Sequence, residues 1–261
     1  MTILDKIIAH KKKEVNQRKI LFPAAFWENA PLFERETYSL KKQLQNSDSG
    51  IIAEHKRRSP SKPVINQSIA LETVVQGYEK AGVCGMSILT DTHFFGGALQ
   101  DLTATRALCK TPLLRKDFII DEYQLIEAKA HGADVILLIA AALNRKEIQT
   151  LSTKAKGLGL EVLLEVHNQE ELEKALMPSL DLLGVNNRNL KTFEVSIDTS
   201  LELASKIPDQ FLKVSESGIS SVASITILRN KGYRGFLIGE HFMKTENPGA
   251  AAADFIKTIE K

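Results

Sequence analysis

Cysteine is nearly absent from this chain. Cys84 and Cys109 are the only two in 261 residues, both in apolar or helical surroundings, which leaves neither a disulfide framework nor a metal-binding spacing. The six histidines are unclustered, so a histidine metal centre is not expected either. A reducing cytoplasm fits this composition. Net charge is missing too: 34 basic and 32 acidic residues leave +2, which gives no case for a nucleic-acid partner. The basic runs Lys11 to Lys13 and Lys41-Lys42 then read as solvated helix faces. The longest apolar run, Val135 to Leu143, is far too short to span a bilayer. The start, MTILDKIIAHKKK, carries charge where a signal peptide needs an apolar core, so no membrane role is expected.

What is present is enough apolar sequence, 43%, for one large core, and an α/β barrel of about 250 residues is the natural single-domain solution. From Ile51 onward short apolar runs alternate with helical patterns, the rhythm of a parallel sheet. The spacing predicts strands at 51–55, 85–89, 112–116, 134–139, 160–166, 181–185, 212–216 and 235–239. Helices are predicted at 69–81, 98–109, 121–131, 144–158, 168–176, 198–206, 220–231 and 248–260. Ahead of them, residues 2–19 form an amphipathic pattern with Thr2 as N-cap. Eight such units with no antiparallel edge predict a (β/α)8 TIM barrel over residues 1–261, with 1–48 as an N-terminal helical extension packed across one end.

Chemistry in such a barrel gathers at the C-terminal ends of the strands. In IIAEHKRRSPS, residues 51–61, Glu54 and Lys56 alternate and so share one face of a strand end. The same parity carries a buried residue and then a polar one at Leu114 and Lys116, Leu163 and Glu165, Gly184 and Asn186, Val214 and Glu216. One charge at a strand end is usually the start of a solvated loop; six polar residues at matched parity point to one lined mouth. Arg57, Arg58 and Arg115 fall on the opposite parity, toward helices or solvent. His55 and His167 adjoin candidate acids on that opposite parity too, which gives them supporting or surface roles. Ser217-Gly218 and Gly239-Glu240 follow the seventh and eighth strands, where barrels bind phosphate through backbone N–H groups, and Ser59 on the first loop closes the ring.

Taken together, IIAEHKRRSPS, LLRKDFIID, LLEVHN, LLGVNNRNL, KVSESGI and FLIGEHFM closely resemble the indole-3-glycerol phosphate synthase family of tryptophan biosynthesis, from residue 50 nearly to the end. The resemblance implies closure of the ring of 1-(2-carboxyphenylamino)-1-deoxy-D-ribulose 5-phosphate, with loss of carbon dioxide and water. It implies Lys116 as general acid, Glu165 as general base and acid, Glu54 as balancing charge, and Asn186 and Glu216 as hydrogen-bonding partners. Lys56 would hold the substrate carboxylate or supply the acid for dehydration. Ser59, Ser217, Gly218, Gly239 and Glu240 would hold the phosphate, and Leu89, Phe95, Phe118 and Leu190 the aromatic ring. No cofactor or metal is implied; the partner is a phosphorylated small molecule, and the chain is expected as a monomer or weak homo-oligomer. One departure stands out: the family continues SPSKG where this chain has Ser61-Lys62-Pro63, which stiffens the first loop. Phosphoribosylanthranilate isomerase, another phosphate-binding barrel, would place a cysteine base and an aspartate acid where Glu54 and Asn186 stand. A non-catalytic barrel could have lost Lys116 or Glu165, and has lost neither.

Overall fold

The computed structural model describes residues 2–190 and 192–260. Eight parallel strands close on themselves in sequence order, each paired with the next and the last with the first. They are β1 (Ile51–His55), β2 (Gly85–Leu89), β3 (Leu113–Lys116), β4 (Val135–Ile139), β5 (Glu161–Val166), β6 (Leu182–Asn186), β7 (Leu212–Glu216) and β8 (Tyr233–Ile238). Among the described residues thirteen α-helices accompany them. The extension holds α1 (Ile3–Leu21), α2 (Ala24–Glu28) and α3 (Leu40–Gln45). Around the barrel run α4 (Leu71–Ala81), α5 (Thr92–Phe95), α6 (Leu99–Leu108), α7 (Glu122–Ala130), α8 (Arg145–Gly157), α9 (Gln169–Ala175), α10 (Asp198–Leu203), α11 (Val222–Arg229), α12 (Glu240–Met243) and α13 (Pro248–Ile259). This is the (β/α)8 barrel that the spacing predicts. The short helices α2, α3, α5 and α12 have too few turns to give a periodic signal, and β8 starts at Tyr233 rather than 235. Tyr233 is buried there and donates to the Ser200 carbonyl at 2.7 Å, which holds the early part of the strand in the wall.

Alternation along the strands divides the core in two. Ile52, Leu114, Val135, Leu137, Leu163, Leu182, Val214 and Leu237 fill the interior, while Ile51, Ala53, Met86, Ile88, Leu138, Leu164 and Leu183 pack outward with the helices. Glycine at the start of β2 and early in β8 admits α3 to the barrel floor: a Cβ at Gly85 or Gly235 would meet Leu40 at 2.5 Å or Leu44 at 3.2 Å. The extension therefore serves both ends, not one. While α3 plugs the floor, α1 lies across the mouth, begun by a capping box in which Thr2 and Asp5 exchange hydrogen bonds.

What fixes α1 there overturns one expectation from composition. Lys11 is not on a solvated face: it is 1% exposed, with its ammonium 2.9 Å from Asp91, 3.0 Å from Asp117 and 2.9 Å from Glu14. Asp91 and Asp117 sit just past β2 and β3, so the helix is clamped to two strand ends by buried charge. Arg18 and Lys19 add ion pairs of 2.6 Å to Glu127 and Asp121 of the α7 region.

Candidate active site

All fifteen residues singled out in the sequence line one cavity of about 450 Å³ at the C-terminal mouth of the barrel. Because β1, β3, β5, β6 and β7 each turn an inward position toward the mouth at their last residues, their polar ends converge. Lys116 is the centre. Its ammonium donates to Glu165 Oε2 at 2.9 Å and to Glu216 Oε2 at 2.7 Å. Across the mouth Lys56 donates to Glu54 Oε1 at 2.6 Å, and Ser87 to the other oxygen of Glu54 at 3.2 Å.

These charges tune one another. Burial disfavours the Lys116 ammonium, but Glu165, Glu216 and Glu54 outweigh it and push its pKa well above the usual lysine value. Burial would likewise raise Glu165, yet Lys116, His167 and a hydrogen bond from Asn186 hold it down to about 2. Glu216 goes the other way, to about 7, because burial and the negative Glu165 beside it exceed what Lys116 returns. Glu54 is lowered: Lys56 and Lys116 overcome its burial. One ammonium thus serves two carboxylates of opposite bias, the arrangement that separates acid from base roles.

The loops supply the rest of the lining. Ser217 and Gly218 have positive φ, 69° and 75°, and a Cβ on Gly218 would strike Val195 at 2.2 Å, so glycine is required. A serine held in left-handed backbone is strain of the kind that collects at functional sites. Gly239, N-cap of α12, packs so closely on Glu54 that a Cβ would lie 2.6 Å from its carboxylate oxygen. Ser59 closes a tight turn with Lys62, and Lys62 pairs with Glu240 of the neighbouring eighth loop. Pro63 follows that turn, where no backbone donor is needed. On the apolar side Phe95 and Phe118 stand 5.8 Å apart, with Leu89 buried beneath and Leu190 on the sixth loop.

The three opposite-parity arginines bind away from the lysine centre. Arg57 pairs with Asp101, Arg58 with the carbonyls of Thr92 and His93, and Arg115 with Asp117, Glu127 and the Gln124 carbonyl. His55 is buried, with its pKa lowered to about 4 by burial and by Arg57. Missed from the sequence were Arg188, whose side chain lines the cavity, and Ile3, Leu4 and Ile7 of α1, which roof it. Continuing the parity of Asn186 by two would have found Arg188. The residues of α1 carried only the signal of an amphipathic stripe.

Comparison with known proteins decides the family. The model of indole-3-glycerol phosphate synthase matches residues 4–255. The chain belongs to that family. The indole-3-glycerol phosphate synthase of Bacteroides thetaiotaomicron is 48% identical over 99% of both chains. That of Dechloromonas aromatica is 42% identical over 96% of this chain and 97% of its own. By fold alone, 3-hexulose-6-phosphate synthase from Salmonella typhimurium superposes with a TM-score of 0.65 at 13% identity, covering 81% of this chain and 98% of its own. Indole-3-glycerol phosphate synthases are carboxy-lyases of tryptophan biosynthesis, so this chain is an enzyme of that class. No described helix is long and apolar enough to cross a membrane.

Proposed function

We propose that the chain converts 1-(2-carboxyphenylamino)-1-deoxy-D-ribulose 5-phosphate to indole-3-glycerol phosphate, using its own lysines and glutamates as acids and bases. The observation that carries this is Lys116 held between Glu165 and Glu216 in the depth of a pocket with an apolar side and a glycine-lined side. The phosphate rests on the backbone of Ser217-Gly218 and Gly239-Glu240, beside Ser59. Phe95, Phe118, Leu89 and Leu190 take the aromatic ring, and Lys56 takes the carboxylate on it. The ring carbon that bears the carboxylate attacks the ketone carbon; as the new bond forms, the carbonyl electrons move to oxygen and Lys116 supplies the proton. The carboxylate leaves as carbon dioxide, and its bonding pair restores the aromatic ring. Glu54 faces the positive nitrogen that develops when the hydroxyl departs. Glu165 then removes a proton from the methylene carbon beside nitrogen to complete the indole.

The order of events fits the charges. Glu165 is held ionised by the Lys116 ammonium. Once Lys116 has given its proton away, that restraint is gone and burial raises the basicity of Glu165. The acid step therefore primes the base.

To test this, the substrate is mixed with protein in the presence of a metal chelator and the rise of indole fluorescence is followed. Wild type gives a rise, and Lys116→Ala, folded by circular dichroism, lowers turnover by about 10²–10⁴-fold. Near-normal turnover in the variant removes Lys116 from its role. No rise in wild type, with the substrate nonetheless protecting the fold against heat, indicates a binding module instead.

A further inference from the structure

The reaction just proposed takes up one proton per turnover. The substrate carboxylate leaves as neutral carbon dioxide, the ketone oxygen leaves as water carrying two added protons, and the methylene carbon returns one. Both protons go to the same oxygen, first as it becomes a hydroxyl and then as it departs. With Lys116 as the group that protonates that oxygen both times, it is recharged while the intermediate still fills the pocket. Lys116 itself contacts two carboxylates, of Glu165 and Glu216, that are 4% and 1% exposed.

One of these carboxylates leads outward. Glu165 uses Oε2 for Lys116, and its other oxygen, Oε1, lies 3.4 Å from His167 Nε2. The His167 side chain is 9% exposed, and Nε2 is buried without a hydrogen-bond partner, just beyond bonding distance of Glu165. Its Nδ1 is 3.1 Å from Glu171 Oε2, and Glu171, on the first turn of α9, is 16% exposed at the surface. Lys116, Glu165, His167 and Glu171 thus stand in line from the ammonium to solvent. His167 lies one residue past the end of β5, where strand alternation no longer turns it away from Glu165.

We propose that His167 is a positioning residue for Glu165 and the relay through which a solvent proton reaches Lys116 during turnover. The inference rests on the reading of Lys116 and Glu165 given above. In the step, imidazolium Nε2–H passes its proton to Glu165 Oε1, and the carboxyl group turns and hands that same proton to neutral Lys116. The neutral imidazole left behind, still protonated on Nδ1 beside Glu171, turns its ring so that the bare nitrogen takes a new proton from water. The charged groups facing His167 are Glu165 on β5, Glu171 on α9 and Glu216 on β7, with Lys116 on β3 behind Glu165. Burial opposes the imidazolium, but the Glu171 hydrogen bond and these carboxylates raise its pKa above the usual histidine value, which favours the protonated ring the relay needs.

The test uses His167→Gln and Glu171→Gln in the full chain, each with wild type alongside. Turnover and KM are measured from acid to alkaline pH, in H2O and D2O, with and without added imidazole. His167→Gln is expected to lower kcat about tenfold, short of the 10²–10⁴-fold of a directly acting acid. KM changes little, the solvent isotope effect on kcat grows, and imidazole restores rate in proportion to its concentration. Glu171→Gln gives a milder loss of the same kind. Unchanged kcat and isotope effect in His167→Gln overturn the relay, as does a loss that tracks a lowered Tm and ignores imidazole, which marks a structural brace. Absence of turnover in wild type would instead refute the proposed reaction itself.

Discussion

Replacing Lys11 by methionine keeps the length of the side chain and removes only its charge, which makes it a sharp test of how α1 is held over the mouth. The ammonium is 1% exposed and pairs with Asp91 and Asp117, both 2% exposed or less. Breaking a buried pair from one side costs about 3–5 kcal/mol, because the partner charge stays buried. Here the loss belongs at the low end. Asp117 keeps Arg115 at 3.0 Å and the Thr90 hydroxyl at 2.6 Å, and Asp91 keeps the backbone N–H groups of Phe94 and Phe95. About 3 kcal/mol, at roughly 2–4 °C per kcal/mol for a chain of this size, gives a fall in Tm of about 6–12 °C at pH 7. The calorimetric scan should be paired with limited proteolysis, since α1 can detach before the barrel melts; cleavage near α1 then quickens, and KM rises as Ile3, Leu4 and Ile7 leave the pocket. A Tm within about 1 °C of wild type, with α1 as resistant as before, would refute the claim that this ion cluster clamps the helix.

Why the sequence misplaced Lys11 while placing Lys116 is a matter of range. Lys116 was legible because a strand repeats every two residues: Leu114 inward puts Lys116 inward, and the same step works for Glu165, Asn186 and Glu216. Helical spacing does set Lys11 apart from Lys12, since it falls between Ile7 and Val15 on the buried stripe. But a charge there could be read as buried only by knowing its partners, Asp91 and Asp117, which come from loops brought over once the barrel has closed. His167 fell between these cases. Parity was the right rule inside β5 and the wrong one a residue beyond its end, where the chain turns into α9 and the ring points at Glu165. The arginines mark the useful limit of the same rule. Arg115 does face away from the mouth, but into a buried set of Asp117, Glu127 and the Gln124 carbonyl, so opposite parity meant a second charged layer rather than solvent.

Two further outcomes follow from the packing around the lysine centre. Gly239→Val, which from sequence alone should raise KM through the phosphate, is expected to lower kcat as well, because any Cβ there meets Glu54 at 2.6 Å; a steady-state run showing KM raised and kcat untouched would restore the simpler account. Glu216→Gln tests the raised carboxyl. In the folded chain Glu216 titrates at about 7, against 4.5 ordinarily, so between those values the folded state holds a proton that the unfolded state has lost. By linkage this group makes stability fall as pH rises from about 4.5 to about 7, and glutamine, which has no proton to lose, removes that slope. Thermal melts of both proteins across that window measure it directly. Parallel curves would mean that Glu216 is ionised throughout, and that Lys116 satisfies both of its carboxylates equally.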